Sequence, residues 1–147
     1  MNAFDVRNLP TFNNTITVLN RRDGKDSPDH LDAWRKTVLT LCAWKQTETR
    51  SQSGRLSEAV EVNEGGDYLV RVPPSEYYRP YSEWKKDMAG FTFSPGDYII
   101  KGEIPEEVTA ENVQSVVTKY RPGAFEVRLF RDNTGTGYLD HYRLEGK

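Results

Sequence analysis

Residues 93–104, "FSPGDYIIKGEI", decide the fold class. Pro95 presets φ for an early turn position, Gly96 tolerates positive φ, and Asp97 can bond its own backbone, so the chain reverses just before a short apolar strand. In that strand Tyr98, Ile100 and Ile104 fall on one side, and Gly102 marks a bulge. A turn of this kind belongs to β architecture and carries no chemistry by itself.

The same punctuation continues on both sides. Thr15–Arg22 reads as a strand with Ile16 and Val18 on one face, stopped by the Asp23-Gly24 turn signal. The segment from Trp34 to Trp44 is apolar on both faces in its second half. This predicts a strand that is central or bent across two sheets, and the best buried of the domain. Gln46–Ser57, "QTETRSQSGRLS", is a polar hairpin tip before the alternating residues Ala59–Val62. After a turn at 63–67, Tyr68, Val70 and Val72 share one face, with Leu69 and Arg71 opposite.

Pro73-Pro74 ends that run, and residues 75–90 bring Tyr77, Tyr78, Tyr81 and Trp84 without alternation, an excursion with room for one helical turn. Thr109 caps a helix whose Val113, Val116, Val117 and Tyr120 form an apolar stripe, ended by Arg121-Pro122-Gly123. Phe125, Val127 and Leu129 then alternate with Glu126 and Arg128, "RDNTGTG" turns, and residues 138–144 form the last strand. The expected fold is mainly β: a small barrel or sandwich of six to eight strands, with long loops and one short helix. An N-terminal arm over 1–14 precedes a single domain over 15–147.

Composition fits one domain. A chain of 147 residues with 36% hydrophobic content can bury one modest core, and 12% aromatic content argues against disorder. The net charge of -2 is too balanced for a free-standing nucleic-acid binder. Eleven of the 22 acidic residues lie in 61–115, against five of the 20 basic ones, an asymmetry suited to a molecule that meets unlike surfaces. No stretch approaches the roughly 20 apolar residues of a membrane span, and "MNAFDVRNLP" lacks the pattern of a secretory leader. No membrane partner is expected, and synthesis is expected in the cytosol without export. Cys42, the sole cysteine, lies in an apolar run and is expected to be a buried, inert thiol.

Candidate chemistry is sparse. His30 and His141 have no second ligand at zinc spacing, and Asp140 and His141 would point to opposite faces of a strand. Glu83-Trp84-Lys85 matches half of a metal-dependent nuclease motif, but its candidate acidic partner, Asp29, lies several strands away. Glu103, Glu106 and Glu107 read as a solvated acidic rim, and Gly135-Thr136-Gly137 as a hairpin turn. No catalytic, cofactor-binding or metal-ligating residue is expected, and the protein is read as no enzyme. The aromatic excursion at 77–84 supports a second reading, a host-directed carbohydrate-binding module, because such rings stack on sugars.

In order and spacing, "TITVLNRR" (15–22), "WRKTVLTLCAWKQT" (34–47), "PGDYIIKGEI" (95–104), the short helix and "DHYRLEGK" (140–147) resemble the head-to-tail connector proteins of siphophages and their prophage relatives, variously called minor capsid, head-closure or stopper proteins. The resemblance rests on the apolar pair and Lys-Gly of Ile99-Ile100-Lys101-Gly102 and on the terminal His141, Gly146 and Lys147. It covers most of 15–147 and departs from the family pattern at 1–14 and in the length of "EYYRPYSEWKKD" (76–87). It implies a structural virion protein, assembled in the bacterial host cytoplasm, that forms a homo-oligomeric ring, hexameric by expectation, in the virion neck. Its implied partners are the portal and adaptor ring above and tail terminator or tail tube proteins below. Genome DNA would pass through the lumen without sequence specificity. A tail terminator or tail-completion protein is the alternative station.

Two segments complete the expectation. In the arm, Phe4, Val6, Leu9 and Phe12 supply apolar anchors that match no single period, as in a segment ordered on a partner or frayed. In the 46–57 loop, Arg50, Gln52 and Arg55 would face a channel or an adjoining ring, with Gly54 as hinge.

Overall fold

The computed structural model describes residues 5–46 and 67–147. Six antiparallel strands close into a barrel: β1 (Asn14–Arg22), β2 (Ala33–Gln46), β3 (Tyr68–Val72), β4 (Tyr98–Lys101), β5 (Ala124–Asn133) and β6 (His141–Gly146), in the order β1-β2-β3-β6-β5-β4. Two short helices accompany them, α1 (Tyr81–Asp87) and α2 (Val113–Tyr120), so the excursion at 75–90 holds a helix of its own beyond the one expected. The predicted strand over 59–62 lies outside the described residues. β1 opens at Asn14, and the last strand is shifted toward the C-terminus, to 141–146, because Asp140 gathers the preceding turn around its carboxylate.

Alternation sorts the strands into two cores. Ile16, Val18, Ile99, Phe125 and Leu144 point into the barrel, where Tyr68, Val70, Phe91 and Phe93 join them. Their chain neighbours Leu19, Ile100 and Ala124 point outward, yet they are also fully buried, because α2 lies over that face with Val113, Val116 and Val117. The apolar pairs in β1 and β4 thus reflect a wall covered on both sides. The covering helix begins at Val113 with Asn112 in the cap position, so Thr109 organises the turn before it and not the cap itself. Thr109 Oγ1 accepts from Glu111 N (3.3 Å) and Asn112 N (3.4 Å), and Asn112 Oδ1 accepts from Thr109 N (2.7 Å), a reciprocal set of bonds one turn before Val113.

β2 does bend across two sheets, pairing with β1 over its first part and with β3 over Ala43–Gln46. It is not the best-buried strand. Its residues are mostly half-buried or exposed, while β3 and β6 are mostly buried. The cause is a bulge at Thr40-Leu41, where Leu41 takes φ 57 and is 42% exposed. The bulge turns the strand's apolar run away from a single core.

Candidate functional site

The Pro95-Gly96-Asp97 turn does more than reverse the chain. Asp97 is buried and accepts three bonds: from Arg21 N on Oδ1 (2.9 Å), and from Asn20 Nδ2 (2.9 Å) and Ser94 N (2.9 Å) on Oδ2. Asn20 in turn donates to Thr92 O (2.6 Å) and accepts from Thr92 N (3.3 Å). Side chains therefore stitch β1 to the 92–97 segment just beyond the β1–β4 ladder, and Gly96 N and Val127 N bind Val127 O and Asp97 O on the other side. Burial pushes the Asp97 carboxyl up to about 7, against the pull of its hydrogen bonds and of Arg21. The latch forms part of the wall of a surface cleft of about 170 Å³ lined also by Lys25, Asp26 and Tyr81. Ser94, Asp23 and Asp26 line the same cleft, while the Asp97 carboxyl itself is taken up by its three donors and clasps β1 to the 92–97 segment.

The opposite rim carries the root of the 47–66 connection. Trp44 packs edge-on against Tyr68 (5.8 Å) and Phe125 (5.5 Å), Tyr68 stacks on Phe125 (4.9 Å), and Lys101 Nζ lies 5.9 Å from the Trp44 ring. Tyr68 OH donates to Pro122 O (2.9 Å), which ties the root to the end of α2. Arg50, Gln52, Gly54 and Arg55, expected to contact DNA or a partner, lie outside the described residues, and so does Phe4.

The remaining arm anchors divide. Val6 and Phe12 are buried against Ala43 and Leu139 of the same chain, while Leu9 is 37% exposed. Asp5 caps the short 3-10 turn at Val6–Asn8, and its bonds to Arg7 hold its carboxyl down at about 2. Two of the four anchors are therefore occupied within the subunit.

The aromatics of 77–84 do not form an open row. Tyr78 sits among Phe91, Phe93, Phe130 and Tyr142, and Trp84 is fully buried with Nε1 donating to Gly90 O (3.2 Å). Tyr81 OH donates to Asp26 (2.8 Å) and accepts from Asp23 N (3.0 Å), which leaves Tyr77 as the exposed ring. Glu83 pairs with Lys86 (3.2 Å) and Lys85 with Asp26 (3.2 Å), so the nuclease-like residues have other partners. Asp29 accepts from Leu31 N (3.1 Å). Glu106 receives Lys119 and Tyr120 OH, which hold its carboxyl at about 2, so it tethers α2 and is no free member of an acidic rim. His141 Nδ1 lies 2.9 Å from Leu139 O, and Asp140 binds the backbone of 135–137. Among the described residues no His, Cys, Asp or Glu cluster could hold a metal ion, and no helix is long and apolar enough to cross a membrane. Cys42 is fully buried and its thiol is pushed up to about 12 by desolvation.

Sequence reading missed the Asn20–Asp97 latch. The signal was present: Asn20 continues the inward face of Ile16 and Val18, where a polar residue requires a buried partner. No curated protein and no solved structure matches the chain. A family model described as "Family of unknown function (DUF6751)" matches residues 11–147, from the end of the arm through the last strand. The barrel, its covering helix and the latch thus all lie in the matched region, and the chain belongs to that family.

Proposed function

We propose that this chain is a structural subunit of a siphophage or prophage neck: a head-closure or stopper ring protein that joins the portal and adaptor to the tail and lets the genome pass. The observation that carries the reading is the closed six-stranded barrel, with both faces of its β1–β4 wall buried and an aromatic cluster of Trp44, Tyr68 and Phe125 at one rim. Such a body suits a ring element, because a closed barrel buries its own core and can offer its outer surface to neighbours. The connector resemblance is what favours the virion neck, without separating its stations. A tail terminator or tail-completion ring would use the same surfaces. The carbohydrate-binding alternative draws little support from the 77–84 rings, of which Tyr78 and Trp84 serve packing.

Electron microscopy of virions from a phage encoding this chain tests the proposal. Density for the barrel in a ring between portal and tail is expected, and density only in the capsid shell or the tail tip would refute it.

A further inference from the structure

The barrel is closed, yet among the described residues two of its strands run on past their ladders. Gly102 N donates to Thr15 O (2.7 Å) and Arg21 N to Asp97 (2.9 Å), so the odd residues of β1 turn their backbone groups toward the β4 side. The even residues therefore face β2, where Ile16, Val18 and Asn20 lie opposite Leu39, Thr37 and Arg35. By alternation, Trp34, Lys36 and Val38 present their backbone groups on the far edge of β2. Among the described residues no strand pairs there, because β3 meets β2 only from Ala43 onward. The Leu41 bulge and the Pro73-Pro74 pair, whose prolines have no N–H to offer, part the two walls and leave a cavity of about 250 Å³ beside Val38–Leu41.

The second edge belongs to β5. Glu126 and Lys147 exchange both backbone bonds (2.8 and 3.1 Å), and beyond the bulge between Val127 and Leu129 the ladder resumes with Leu129 opposite Glu145. Phe130 and Asp132 then face away from β6, and pairing on the β4 side reaches only as far as Val127, which bonds Gly96 and Asp97. Among the described residues no second ladder runs along 129–133. β2 and β5 are three steps apart either way around the six-strand order, so the edges lie on opposite sides of the barrel. They also run in opposite directions along its axis.

From these two edges we infer a head-to-tail interface between copies of this chain, in which the Phe130–Asn133 edge of β5 in one copy adds antiparallel to the Trp34–Val38 edge of β2 in the next. The inference deepens the ring reading above and rests on it only for the location of the ring. Two like-oriented barrels bring these strands together antiparallel, and each copy keeps one edge of each kind for a further neighbour, as a heterologous interface requires. One register aligns the unladdered backbone pairs as Val38 with Phe130 and Lys36 with Asp132, although the Lys36 ammonium is already held by Ile104 O, Glu106 O and Glu107 of its own subunit. It places Leu39 beside Leu129, both half-buried in the single chain. Unpaired edges of this kind are otherwise blunted by charge, proline or a covering element.

In that register Arg35 and Asn133, both exposed, form a non-hydrogen-bonded pair close enough for a disulfide. The test is the full-length Arg35→Cys/Asn133→Cys double variant, oxidised at about 1 mM so that even a contact with millimolar Kd is populated. Cys42 is fully buried and silent. A ladder of dimers, trimers and larger species is expected on a non-reducing gel, with neither single variant exceeding the wild type. Adding Val38→Pro, which removes an edge N–H, should reduce the ladder at least about tenfold. If that variant fails to fold by circular dichroism, the surface change Asp132→Lys serves instead. No ladder, an equal ladder from either single variant, or a ladder indifferent to the folded edge variant would overturn the inference. A ladder from a protein located elsewhere in the virion would refute the neck reading alone.

Discussion

Replacing Asp97 by asparagine separates the clasp's charge from its shape. Asp97 is 1% exposed, and burial holds its carboxyl at about 7 against the ordinary 3.8. Because the folded value is raised, the native state keeps a proton that the unfolded chain has released between these two values. Stability from this group is complete below pH 3.8 and is lost as pH rises through 7, by about 4 kcal/mol for a shift of this size. An asparagine side chain cannot titrate, so Asp97→Asn removes that slope. The amide also misfits its donors. With its oxygen toward Asn20 and Ser94, its NH₂ meets the Arg21 N–H, which loses one bond and opposes two donors at a cost of about 1–3 kcal/mol. Urea unfolding followed by fluorescence of the three tryptophans from pH 4 to 8 reads both effects. The variant should be the less stable at pH 4, and the gap should close or invert by pH 8. Parallel wild-type and variant profiles across that range would refute the assignment of a protonated, buried Asp97.

Trp84→Ala should cost about 3–5 kcal/mol in chemical denaturation, since it empties a fully buried site and orphans Gly90 O. Gly146→Ala should prevent or severely impair folding, measured as loss of the cooperative transition, because a Cβ there would collide with Glu126 O and Phe125 across the ladder. Phe12→Ala should destabilise by about 3 kcal/mol and speed proteolysis near residue 10, since Phe12 anchors the arm on Ala43 and Leu139. Deletion of 2–12 would therefore lower the stability of the subunit as well as any attachment to a neighbour. Replacing 49–55 by a short Asn-Gly turn should release DNA from filled heads if Arg50 and Arg55 restrain the genome; full retention with normal tail joining would dismiss that role.

Local rules carried a large share of this protein. The period-2 face of Tyr68, Val70 and Val72, the stripe of Val113, Val116 and Val117, the Thr109 turn and the turn before Tyr98 all follow from residues a few positions apart, where backbone geometry alone sets which side chains share a face. The bend of β2 was legible too, because its apolar residues switch faces partway. Tertiary structure decided the matters that depend on distant partners. Whether Ile100 and Leu19 faced solvent or a second core depended on where α2 landed, and whether β2 was well buried depended on a bulge and two prolines some thirty residues on. The Asn20–Asp97 latch spans 77 positions, so neither residue reveals the other, and the same carboxylate that reads as a turn former becomes a buried acid. The aromatic run at 77–84 shows the limit most clearly. Its composition suits an open platform or a packed plug equally, and only the arrival of Phe91, Phe93, Phe130 and Tyr142 around Tyr78 distinguishes them, since burial is a property of the whole chain's closure and not of any segment.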